Sequence, residues 1–90
     1  MQITRFHTIT KSEHSRGYIY LSNNKRDNPW ISSITPEVTF LGQKLGVKSM
    51  NRGRIIVGKS VMQNFAQPGM KVMISISGMP DKAVISKAED

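Results

Sequence analysis

Alternation of polar and apolar residues comes in short pieces along this chain, and no piece is long. In "ITRFHTI", Ile3, Arg5, His7 and Ile9 fall on one side of an extended segment and Thr4, Phe6 and Thr8 on the other. That period predicts a strand, with its buried face left open. "KSEHSRG" reads as a turn. "YIYLS", Tyr18 to Ser22, combines aromatic and β-branched residues that suit a pleated surface and predicts a second strand. "NNKRDNP", Asn23 to Pro29, is a run of amides and charges closed by proline, which predicts an exposed loop carrying Lys25 and Arg26 outward.

Extended structure resumes in "WISSITPEVTFL", where Pro36 biases Thr35 away from helix and Val38 alternates with Phe40. "GQKLGVKSMNRG" holds neither period and reads as an irregular connection with short extended pieces. From Arg54, Ile55 and Val57 alternate as a strand, and Arg54 points to the opposite side. Gly58 breaks the strand. Ser60 is placed to cap a short helix "VMQNFA" with Val61, Met62 and Phe65 as its buried stripe, ending before Pro68. "MKVMISIS" sets Val72, Ile74 and Ile76 on one face, "GMPD" turns, and "KAVIS" returns as the last hairpin strand. The expected fold is mainly β, a β-rich α+β domain with one short helix near residues 60–67.

One stretch raises a chemical question, since "GRIIVGKS", Gly53 to Ser60, fits the phosphate-loop pattern G-x-x-x-x-G-K-[ST]. In a phosphate loop the residues between the glycines form an open nest of N–H groups. Here they include three consecutive strand formers. The preceding "VKSMNR" is too polar for a strand covered on both faces, and Pro68 cuts the following helix short. Lys59 and Ser60 are better read as the start of a helix beside a cation, an anion site without a nucleotide.

Charge supplies the main functional hint. Thirteen Lys and Arg stand against six Asp and Glu, a formal net charge of +7. No acidic residue occurs from Val38 through Pro80, while Lys44, Lys48, Arg52, Arg54, Lys59 and Lys71 do. Such a surplus favours a polyanionic partner, against the plainer alternatives of a solvated face or an acidic protein partner. There is no cysteine, and two histidines, His7 and His14, are too few for a structural zinc site. They have no nearby nucleophile and no carboxylate beyond Glu13, so no catalytic site and no cofactor is expected. No apolar run reaches the length of a membrane helix, and a cytoplasmic protein is expected. A core of this size gains from a homodimer.

The C-terminal order "RIIVGKSVMQNFAQPGMKVMISISGMPDKAVIS" resembles the swapped-hairpin module of the SpoVT/AbrB and MazE-type DNA-binding proteins over about residues 53–87. Ile55, Val57, Val61, Phe65, Gly69, Val72, Ile74, Val84 and Ile85 fall at its apolar and turn positions. Met70 stands where the family usually has an acidic residue, and Gly58 replaces a common proline. The resemblance divides the chain into a β-rich part over 1–50 and a swapped-hairpin-like, barrel-forming module over 51–88. It implies a homodimer with interleaved strands and DNA contacts by Arg52, Arg54 and Lys59, with Lys48 as neighbour. "TPEVTFLGQKLGV" is also similar to a stretch of SymE-type toxins, which would act on RNA or the nucleoid.

The leading expectation is therefore a dimeric DNA-binding regulator or antitoxin-like repressor, contacting its target through Lys48, Arg52, Arg54, Lys59, Lys25 and Arg26. Three alternatives stand beside it: a SymE-like toxin, a small inhibitor or adaptor that docks on an acidic protein surface, and a small OB-like barrel binding single strands. For the last, Tyr18 and Tyr20 share one strand face and could stack bases beside Lys25 and Arg26, although core packing is the more ordinary fate of such rings. Trp30 is weighed the same way, and core or interface packing is preferred for it.

Overall fold

The computed structural model describes residues 2–21, 35–48, 53–78 and 81–88. In chain order the elements are β1 (Gln2–Thr8), α1 (Lys11–Arg16), β2 (Tyr18–Tyr20), β3 (Glu37–Phe40), β4 (Gln43–Val47), β5 (Arg54–Ile56), α2 (Lys59–Phe65), β6 (Lys71–Ser77) and β7 (Lys82–Lys87). Five strands make a mixed sheet in the order β1-β6-β7-β3-β4, and β2 and β5 pair as a separate ribbon. Only β3 and β7 run parallel; the other pairs are antiparallel. Each strand of the C-terminal half finds a partner in the N-terminal half: β5 with β2, β6 with β1, and β7 with β3. The β-rich α+β class read from the pattern is the class observed.

The core lies between one face of the sheet and a cover made by the ribbon and the two helices. Val72, Ile74 and Ile76 of β6, Ala83 and Ile85 of β7, and Val38 and Phe40 of β3 point into it. Ile19 and Ile55 enter from the ribbon, and Ile9, Met62 and Ala66 from the helical layer. Each large side chain so buried contributes about 1.5–3 kcal/mol. The other face of the sheet is open, with Phe6 74% and Val84 43% exposed. β3 turns into β4 through Leu41-Gly42, both at positive φ (49° and 85°), as the two-residue hairpin of the type I′ kind requires. Leucine in that conformation costs about 1 kcal/mol, offset here by packing of its half-buried side chain against the core.

Four features differ from the sequence reading. The segment expected to be a turn, Lys11–Arg16, is helix α1. Thr10 and Glu13 form a full capping box, and Gly17 closes the helix at φ 78°. Helix α2 begins at Lys59 with Gly58 as its cap residue, so Ser60 lies inside the first turn and caps nothing. Of the stripe expected for α2, Met62 is buried and Val61 packs against the core, while Phe65 turns out to 44% exposure and Ala66, just past the helix, takes the inward place four residues after Met62. Finally, part of the connection read as irregular is the edge strand β4, exposed at most positions and paired to β3 past a bulge at Val38/Thr39. An edge strand wet on both faces carries no alternation to read.

Gly17 ties the cover together. Its carbonyl accepts hydrogen bonds from the N–H groups of both Val57 (2.9 Å) and Gly58 (2.8 Å), which brings the end of α1 against the start of α2. A Cβ at Gly17 would lie 2.5 Å from the Lys59 nitrogen and 2.6 Å from the Gly58 carbonyl carbon. His14 adds a second tie, its Nε2–H donating to the Ala66 carbonyl at 3.0 Å.

Candidate functional site

The register of the ribbon decides what it shows to solvent. Ile19 pairs with Ile55 and both point into the core. The residues on either side therefore point out, with Tyr20 opposite Arg54 and Tyr18 opposite Ile56. Tyr20 is 42% and Ile56 40% exposed. The guanidinium of Arg54 lies over both rings, 5.1 Å from the Tyr18 centroid and 5.9 Å from that of Tyr20. Each such contact is worth about 0.5–1 kcal/mol and holds the arginine over the ribbon. Its Nε is buried and has no hydrogen-bond partner among the described residues. An unpaired donor of this kind costs free energy until an acceptor reaches it.

Beside this face opens a cleft of about 370 Å³ between the ribbon and the β1–α1 corner. His7, Thr10 and Ser12 line it from β1 and α1, and Tyr18, Tyr20 and Arg54 from the ribbon. Glu13, the one buried charged residue among those described, forms its floor. One carboxylate oxygen accepts from the Thr10 N–H (2.9 Å) and the other from the Tyr20 N–H (2.7 Å). His7 Nε2 lies 2.9 and 2.8 Å from the two oxygens. Burial opposes ionisation of this carboxyl, but the Tyr20 and Thr10 N–H groups and His7 together outweigh it and hold the group below its ordinary range. An ionised Glu13 accepts from His7 only if Nε2 carries the hydrogen, which fixes that tautomer. His7 and Glu13 are ligand-type groups, but among the described residues no third joins them to make a metal site.

Of the residues expected to touch a polyanion, Arg54 is the one the fold builds into a site. Lys59 is the exposed first residue of α2, its backbone against Gly17. Lys48 follows β4, its N–H bonded to the Pro36 carbonyl at 3.0 Å. The fold thus sets Lys48, Arg54 and Lys59 on three separate elements. Lys25, Arg26 and Arg52, like Trp30, lie outside the described residues. Core packing of Tyr18 and Tyr20 is corrected: Ile19 between them takes the core position and turns both rings outward.

The one carboxylate expected near the histidines, Glu13, is the partner of His7. The pairing was legible in "TKSE", a Thr-x-x-Glu capping box, because a box places the Glu13 carboxyl beside the end of the preceding strand, where His7 lies. The Gly53–Ser60 stretch is confirmed as strand and helix, with Arg54–Ile56 in β5 paired to β2. No family model matches this chain, and no curated protein or solved structure is significantly similar to it.

Proposed function

We propose that this chain binds nucleic acid through the outer face of the β2–β5 ribbon. The observation that carries this reading is Arg54, laid over Tyr18 and Tyr20 on a half-exposed surface with an unpaired donor. Arginine held over two aromatic rings offers a fixed charge for phosphate and a planar group for bases. The formal charge of +7, and the acid-free interval from Val38 through Pro80 that contains Arg54, supply the long-range attraction. Glu13 does not oppose it strongly, because its oxygens are occupied by His7 and two backbone N–H groups. A dimeric DNA-binding regulator is the form of this reading that the C-terminal resemblance favours, with RNA as the alternative target.

Titration of labelled random-sequence nucleic acid by fluorescence anisotropy, repeated over a range of salt, tests the reading. Binding should weaken steeply as salt rises, and Arg54→Ala should lower the salt slope by about one. Absence of binding at low salt would contradict it. A second reading, an adaptor docking on another protein, has its own observation in Phe6, 74% exposed on the open sheet face.

A further inference from the structure

We infer that the strand bound at the ribbon is single, and that one unpaired base enters the cleft between Tyr20 and the His7–Glu13 corner. This rests on the nucleic-acid reading above and specifies its ligand. Four features of the cleft lead to it.

The first is shape. A duplex keeps its bases stacked and offers phosphates and groove edges, which are read by protruding elements that enter a groove. Here the ribbon offers a concavity beside two tyrosines instead. The second is size. At about 370 Å³ and open to solvent, the cleft lies at the small end of ligand pockets and has room for one planar ring against Tyr20. The third is chemistry. Tyr20 gives a ring for stacking, and Thr10 and Ser12 carry hydroxyls that both donate and accept. Those are the groups an unstacked base needs along its Watson–Crick edge. The fourth is charge placement. The Arg54 guanidinium lies over the rings at the ribbon side, where it would meet the phosphate of the inserted nucleotide, while the Glu13 carboxylate is buried and hydrogen-bonded at the floor.

Tyr18 plays a different part from Tyr20. It is the more covered ring and the one Arg54 approaches more closely, so it serves as the seat of the guanidinium. The base is left to Tyr20 and to the face of the guanidinium itself.

The experiment compares a single-stranded oligonucleotide of about ten nucleotides with the duplex of the same sequence at one salt concentration. Wild-type protein should bind the single strand about tenfold more tightly. Tyr20→Ala should lower single-strand affinity about tenfold and bring the ratio toward one, and Tyr20→Phe, which keeps the ring, should restore it. A 2-aminopurine in the strand should lose fluorescence on binding wild type and not on binding Tyr20→Ala. Equal or tighter duplex binding, with a ratio that Tyr20→Ala does not change, would overturn the inference and leave the nucleic-acid reading standing. Failure of both forms to bind would overturn both.

Discussion

Among the described residues, two of the solvent faces that expose apolar side chains, the open side of the sheet and the ribbon, are built differently. On the open side of the sheet, Phe6 pairs across strands with Met73, and Val84 lies among Ser75 and Thr39. Phe6 and Val84 are freely exposed, yet among the described residues no buried polar group is turned toward them. On the ribbon face Tyr20 and Ile56 are 42% and 40% exposed. That face combines two rings, a guanidinium with an unpaired donor and a cleft floored by the hydrogen-bonded His7–Glu13 pair. Exposure by itself marks a surface that something can cover, whereas convergent polar groups mark one with a chemical preference.

Breaking the ribbon side while sparing the sheet face is a matter of one glycine. Gly17 holds a positive φ, and its missing side chain leaves room for the Gly58–Lys59 backbone. In Gly17→Ala the methyl meets backbone that has no flexible end to move aside. A loss of about 3 kcal/mol or more in denaturant unfolding is expected, with nucleic-acid binding lost before the sheet unfolds. Unchanged stability would show that α1 and α2 are not locked as described.

A smaller effect separates the Glu13 floor from the rest. Glu13→Gln loses the charge-assisted contacts to His7, Thr10 and Tyr20 and should cost about 2 kcal/mol. Its pH signature follows from the direction of the shift. The folded carboxyl titrates below its ordinary value of 4.5, so in acid the unfolded chain binds more protons. The stabilisation is complete above that value and is lost as pH falls through the lower, folded one. Unfolding midpoints measured from neutral to acid pH should therefore fall more in wild type than in Glu13→Gln; parallel curves would deny Glu13 this role.

Strand β6 shows what a sequence states plainly: Val72, Ile74 and Ile76 alternate with Lys71, Met73, Ser75 and Ser77, and the first three are buried. Helix α1 was hidden because its six residues, "KSEHSR", carry almost no apolar face; caps at Thr10 and Gly17 and its packing on α2 hold it instead. Arg54 could be placed outward from its parity with Ile55 and Val57. Its companions could not, since pairing Tyr20 with Arg54, 34 positions apart in the chain, is set by tertiary register. The His7–Glu13 pair is of both kinds, with the box written locally and the floor it makes for the cleft visible only once β2 folds back over it.

Where nucleic acid lands on the protein is the central claim, and an amide chemical-shift map with an unlabelled single strand measures it directly. Shifts are expected to gather at Tyr18–Tyr20, Arg54–Ile56 and the His7–Glu13 corner, with Met73, Val84 and Ser75 unmoved. Shifts gathered instead around Phe6, Met73 and Val84 would contradict that claim.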